Sequence, residues 1–142
     1  MSRYLGIDFG TKRVGLAVSD PTRLIAQGVT TLTYHSQKHL ITQLRKFVDE
    51  HEIVKIIVGL PLSMSGKDSQ KTVEVREFAE TLRGKFTQPV EFMDERLTTV
   101  MAHQTMHLMG KKPGRNKEKV DLLAAQNILQ IYLDKEKGLR QL

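Results

Sequence analysis

Hydrophobic and polar positions divide this chain into alternating strand-like and helix-like segments. Residues 3–9 and 14–19 are compact apolar runs, and the stretch 27–33 contains Val29-Thr30-Thr31-Leu32-Thr33, rich in the β-branched residues that suit a pleated surface. The short connections between these three strands predict an antiparallel meander. Ser36 is placed to cap a helix on which Leu40, Leu44, Phe47, Val48 and His51 share one face. Val54-Lys55-Ile56-Ile57-Val58-Gly59 is an almost unbroken apolar run, as expected of a strand covered on both sides, and Pro61 ends it. After the polar turn from Ser63 to Lys67, Val75, Phe78, Ala79 and Leu82 recur at helical spacing in a helix expected to close at Gly84. Pro89-Val90-Glu91-Phe92-Met93-Asp94 then reads as a further strand.

Strand, helix, strand, helix, strand over residues 28–94 predicts parallel crossovers appended to the meander, giving an α/β fold with a mixed sheet and helices on its faces. Two more helices are expected, one from Thr98 or Thr99 to about Met109 and one from about Glu118 to Lys135. Between them Gly110 to Lys117 forms a basic loop broken by glycine and proline. The pattern contains no internal repeat, and 142 residues suit a single domain spanning 1–142.

Composition narrows the chemistry. The balance of 22 Lys and Arg against 16 Asp and Glu gives a net charge of +6 and a pI near 9.7, which favours a polyanionic partner. With no cysteine there is neither a disulfide framework nor a zinc–thiolate site, so any metal needs oxygen or histidine ligands. No apolar stretch approaches the roughly 20 residues of a membrane span, and Met1-Ser2-Arg3-Tyr4 leads into a strand without a signal-peptide pattern. A soluble cytoplasmic protein is expected.

Against that background the acidic positions stand out. Asp8 lies inside a strand, between Ile7 and Phe9, where an ionised carboxylate costs several kcal/mol unless it is paired or bound to a cation. Glycines at 6, 10 and 15 let neighbouring backbone or a phosphate approach. A structural alternative has Asp8 bonded to nearby backbone groups. Asp94-Glu95 ends the last strand; alternation sets Asp94 with Val90 and Phe92, and Glu95 with Glu91 and Met93, but the strand's end leaves open which of the two faces Asp8. Asp121, expected in the first turn of the last helix, shares a face with Ala124, Ala125 and Ile128 and so points inward; its alternative is a favourable charge at a helix start. Converging oxygen ligands without cysteine suit Mg²⁺ or Mn²⁺, and two such ions can activate water and stabilise the leaving oxygen in phosphodiester hydrolysis. Lys12, Arg13, Arg96 and the loop residues Lys111, Lys112, Arg115 and Lys117 are the candidates for holding a phosphate backbone.

Four pieces carry a family resemblance across nearly the whole chain: Gly6-Ile7-Asp8-Phe9-Gly10-Thr11 with Arg13-Val14-Gly15; Val58-Gly59-Leu60-Pro61-Leu62 with Gly66; Asp94-Glu95-Arg96-Leu97-Thr98-Thr99; and Lys119-Val120-Asp121 with Ala124-Ala125. In this order they resemble the YqgF/RuvX family. The resemblance implies a ribonuclease H-like, five-stranded mixed sheet of an antiparallel meander plus two parallel strands, flanked by helices. It implies a metal-dependent nuclease that matures the 5′ end of the pre-16S rRNA, with structured RNA and ribosomal particles as partners, and Asp8, Glu95 and Asp121 as the acidic triad. Holliday junction resolvases similar in fold place the middle acid at the end of the fourth strand, where this chain has Gly59-Leu60-Pro61. The middle acid would then come from the fifth strand, two strands from Asp8, and the longer side chain favours Glu95 over Asp94.

Two other functions are compatible with the same residues: a resolvase acting on four-way DNA junctions, for which two-fold symmetry would want a dimer, and a non-catalytic RNA- or ribosome-binding module. The turn Asp8-Phe9-Gly10-Thr11 also resembles the phosphate-binding turn of actin-like ATPases, but the chain is too short for their two lobes. His103 and His107, four residues apart, lack the glutamate of a zinc-protease motif and are expected to pack or face solvent.

Overall fold

A computed structural model describes residues 2–63, 65, 67–96 and 117–140. The predicted meander forms from β1 (Arg3–Phe9), β2 (Arg13–Ser19) and β3 (Ala26–Thr33), all antiparallel neighbours. Ser36 caps α1 (Gln37–Glu50) by accepting the His39 amide, and the chain returns through β4 (Ile53–Leu60), which pairs parallel with β1. Then α2 (Gln70–Lys85) crosses to β5 (Val90–Asp94), parallel to β4. The resulting sheet has the order β3-β2-β1-β4-β5, with α3 (Lys117–Arg140) running over it.

Two expected boundaries are corrected. The second helix continues through Gly84 to Lys85 and closes where Phe86 turns extended, its amide reaching the Leu82 carbonyl; Gly84 adopts no left-handed conformation there. The last helix begins at Lys117 and runs to Arg140, so Lys117 belongs to that helix and Asp121 lies past its first turn. The helix expected from Thr98 falls in residues 97–116, outside the described residues.

The sheet's two faces carry different cores. One packs Leu5, Ile7, Leu16, Ile56 and Val58 against the apolar stripes of α1 and α2, with Phe9 stacked on Phe78 at 4.2 Å between ring centroids. The other face is paved with small residues. Gly6, Gly15, Gly28 and Gly59, from four different strands, each lie so close to α3 or its side chains that an added β-carbon would collide: at Gly6 it would sit 2.7 Å from the Leu129 Cβ, and at Gly15 it would run into the Asp121 carbonyl. Here α3 seats Ala125, Ile128, Leu129 and Leu133 against Ala17, Ala26 and Ile57. Polar contacts pin it along its length. Gln126 and Gln130 accept the Gly28 and Ala26 amides at 2.9 and 2.8 Å, while Lys55 donates to the Tyr132 hydroxyl at 3.0 Å and Tyr4 to Glu136 at 3.0 Å.

This seating generates a paired prediction for thermal or denaturant unfolding. Gly15→Ala should cost about 1–3 kcal/mol, because backbone rather than a flexible side-chain tip stands in the way. Gly84→Ala, at an exposed position in the last turn of α2 with open space around the new methyl, should instead stabilise by up to about 0.5–1 kcal/mol.

Candidate active site at the carboxyl edge of the sheet

The parallel strands β1, β4 and β5 point their carboxyl ends to one edge, where open α/β sheets form ligand crevices. Asp8 is the penultimate residue of β1 and alternates with Tyr4 and Gly6, on the face covered by α3. Across the ladder its partner is Gly15. Because Gly15 has no side chain, the α3 backbone descends onto the sheet at Asp121, and the helix delivers that residue's carboxylate beside β1.

The middle acid travels further. Although β5 ends at Asp94, the Glu95 amide still donates to the Leu60 carbonyl at 3.0 Å, so strand alternation persists for one more residue. Glu95 therefore shares the α3-facing side with Glu91 and Met93. Its side chain passes over β4 at Gly59, where a β-carbon would lie 3.0 Å from both its Cγ and its Cδ. The residue is only 7% exposed, and its carboxyl hydrogen-bonds that of Asp8. Asp94 turns elsewhere, accepting Arg96 Nε at 2.9 Å on Oδ2 and the Arg96 amide at 3.0 Å on Oδ1. Of the two acids it is Glu95 that faces Asp8, while Asp94 faces Arg96.

Two adjoining carboxyls cannot both stay ionised at low cost. Burial pushes the Asp8 carboxyl well above the usual carboxylate range, and the Glu95 charge, their mutual hydrogen bond and the Asp121 charge push it further, while the Lys71 charge opposes. Asp121 is held differently. Arg13, the first residue of β2, donates Nε to its Oδ2 at 3.0 Å in a half-buried ion pair. Among the described residues, no three acidic or histidine side chains are drawn close enough together to hold a metal ion as they stand.

In front of the acids opens a cleft of about 550 Å³, lined on one side by Asp8, Lys12, Arg13 and Asp121 and on the other by Gln70, Lys71 and Glu74 from the first turns of α2. Lys71 escaped the sequence reading. Its signal was topological: a helix that leaves the carboxyl end of a parallel strand starts at the same edge as the site. Ser69 caps α2, and the buried Thr72 donates its hydroxyl to the Pro61 carbonyl, tying the helix start to the end of β4. On the other wall Tyr34 fixes the β1–β2 turn by donating its hydroxyl to the Gly10 carbonyl at 2.6 Å. Lys12 and Arg13 thus line the cleft, whereas Arg96 is engaged by Asp94. Lys117 is the first residue of α3, and Lys111, Lys112 and Arg115 lie outside the described residues, as do His103 and His107.

Comparison with known proteins places these features in a lineage. A family model described as "RuvX: Holliday junction resolvase" matches residues 2–135. A Koribacter versatilis protein named "Putative pre-16S rRNA nuclease" is 43% identical over 133 residues, covering 94% of this chain and 87% of the relative. A Bacteroides thetaiotaomicron protein of the same name is 41% identical over 140 residues, covering 96% and 99%. Among solved structures, T. thermophilus RuvC in complex with a Holliday junction substrate superposes with a TM-score of 0.58 at 14% identity, covering 97% of each chain. The fowlpox virus resolvase complex gives 0.56 at 10% identity, covering 94% and 98%. At such identities these two likenesses concern the fold, and the shared architecture is ribonuclease H-like.

The acid pair yields a stability prediction that needs no substrate. A carboxyl whose pKa is raised by folding costs stability once pH exceeds its unfolded value of about 3.9, and the cost grows until the folded pKa is passed. In metal-free buffer Asp8→Asn should therefore raise the unfolding midpoint at neutral and alkaline pH, with the gain vanishing as pH falls toward 4. A melting series across pH checks this; an unchanged or lower midpoint at pH 8 would contradict the proximity of Asp8 and Glu95.

Proposed function

This chain belongs to the RuvX family, and on that premise we propose that Asp8, Glu95 and Asp121 form the catalytic centre of a metal-dependent nuclease that hydrolyses phosphodiester bonds. The observation that carries the proposal is the Asp8–Glu95 pair: the buried Glu95 reaches the Asp8 carboxyl across the intervening strand at Gly59, and desolvation together with this second acid raises the Asp8 pKa. Two carboxyls held together are costly for folding alone, and a hard divalent ion, for which carboxylate oxygens are the natural donors, would relieve that cost.

Asp8, Glu95 and Asp121 would hold Mg²⁺ or Mn²⁺, as the all-oxygen donor set fits. Bound there, two such ions would supply Lewis-acid activation of water and charge stabilisation at the leaving oxygen. The chain's own residues do the rest. The acids form an anionic floor, and Lys12 and Lys71, which line the same cleft, draw the phosphate backbone into place. The start of α2 adds its positive dipole end on the Lys71 side. Cationic walls around an anionic floor match a substrate that is a polyanion with one phosphodiester delivered to the acids.

The RNA assignment rests on the relatives, whose names specify pre-16S rRNA. We assign the substrate as the 5′ region of that precursor, acted on in the cytoplasm and in association with ribosomal particles. A second reading, resolution of four-way DNA junctions, is favoured by the description of the family model. A backbone-reading cleft serves either polymer, because phosphate contacts carry no sequence information.

The test compares a labelled pre-16S rRNA fragment with a synthetic four-way DNA junction, each in Mg²⁺, Mn²⁺ or EDTA. Metal-dependent cutting of the RNA is expected; symmetric nicking of the junction alone would favour the resolvase, and binding without cleavage of either the non-catalytic module. Asp8→Asn and Glu95→Gln should abolish cleavage while leaving the protein folded. Asp94→Asn should retain nearly wild-type activity, since Asp94 faces Arg96 rather than the cleft; its inactivation with Glu95→Gln active would refute the assignment.

A further inference from the structure

Arg13 was expected to hold phosphate, yet its guanidinium is committed to Asp121, the acid that must join Asp8 and Glu95 if a metal is to be held. The same contact therefore sets the two tasks in competition, since it holds the Arg13 Nε on the Asp121 Oδ2. Both side chains are only partly exposed, 32% for Arg13 and 24% for Asp121, so the pair is sheltered enough to matter energetically. Both also line the cleft, within which either partner could turn from the other to a new ligand. Their backbones are fixed: Arg13 opens β2 in register with Thr33, and Asp121 is seated over Gly15. An exchange of partners needs only side-chain rotation.

We propose that Arg13 is an exchangeable counter-ion that couples metal loading to phosphate binding: it neutralises Asp121 in the metal-free protein and, when a divalent cation takes Asp121, is released into the cleft to bind a substrate phosphate. Charge bookkeeping supports the order of events. Without metal the Asp121 carboxylate is compensated by the Arg13 guanidinium. A divalent ion on Asp121 displaces that compensating charge, and the freed guanidinium then faces an oxyanion for which its planar fork of donors is suited. Substrate phosphate is thereby favoured after the metal is in place. The inference rests on the proposed metal site, but its first two readouts do not depend on cleavage.

Three variants in the full-length protein test it: Arg13→Gln, Asp121→Asn and the double variant. The first readout is Mn²⁺ affinity from its paramagnetic signal. Removing the competing guanidinium should tighten Mn²⁺ binding of Arg13→Gln by about fivefold, the order expected for releasing one partly exposed ion pair; unchanged or weaker binding would overturn the exchange. The second is binding of a short labelled RNA oligonucleotide in EDTA and in Ca²⁺, whose looser coordination disfavours turnover. Arg13→Gln should bind like wild type in EDTA and lose most of the gain that Ca²⁺ gives wild type. Equal losses in both conditions would mean that Arg13 is never sequestered.

Asp121→Asn should free Arg13 without metal and tighten RNA binding in EDTA. That gain must disappear in the Arg13→Gln/Asp121→Asn double variant. If it persists, it reflects only the removed negative charge, and the proposal fails. Thermal melting of each variant confirms that the fold is retained. Wild-type protein that binds Mn²⁺ and shows this coupling but cuts neither RNA nor junction would overturn the nuclease reading and leave the exchange standing, so the two failures are distinguishable.

Discussion

The close seating of α3 on a floor of glycines is the constraint from which the rest of the site follows. A helix packed on a sheet through ordinary side chains is held off by them, which leaves a short aspartate on the helix further from a strand aspartate. At Gly6, Gly15 and Gly28 the sheet withdraws its side chains, and the helix backbone or its first carbons take the vacated space. Asp121 is thereby brought over the strand position adjacent to Asp8. Edge glutamines and the Tyr4–Lys55–Tyr132–Glu136 cluster fix the helix lengthwise, so the seating sets the rotation and height at which Asp121 is presented.

Once gathered, the acids oppose the fold that gathers them. Asp8 is pushed toward protonation and Asp121 is occupied by arginine, both being ways of supplying positive charge to a crowded anionic floor. A chain selected for stability alone would gain by replacing one of these residues. Electrostatic conflict on an otherwise well-packed sheet is what the proposed catalytic role accounts for, since at such sites stability and activity pull in opposite directions.

Much of this was legible in the sequence because the signals were local. Apolar runs of strand length, Ser36 before a helical stripe and Pro61 after a strand each act over a few residues, and the meander, both crossovers and the mixed sheet follow from their order. The acids Asp8 and Asp121 were visible as charges in apolar surroundings. What escaped was set at longer range. Gly84 looked like a helix terminus, but nothing at that position requires a left-handed turn, and the helix runs on to Lys85. Lys71 occupies an unremarkable polar helix position and gains meaning only from the sheet edge on which α2 begins. The Arg13–Asp121 pair joins residues 108 positions apart, and no spacing rule connects them.

The placement of Asp94 and Glu95 shows how a residue without a side chain can decide where another's side chain goes. Alternation alone was ambiguous, because a strand's last residues often leave the pleat. Here the Glu95 amide keeps its bond to Leu60, so alternation is preserved and the side chain emerges on the α3 face. Any side chain on β4 at position 59 would stand in its way, and the β-carbon of even an alanine would press on Cγ and Cδ. A chain carrying its middle acid on β4 would need a side chain at that strand's end; a chain carrying it on β5 needs the β4 position empty. Gly59 and Glu95 are therefore one structural solution written at two places, and the lack of a carboxylate on the fourth strand is the condition for supplying one from the fifth.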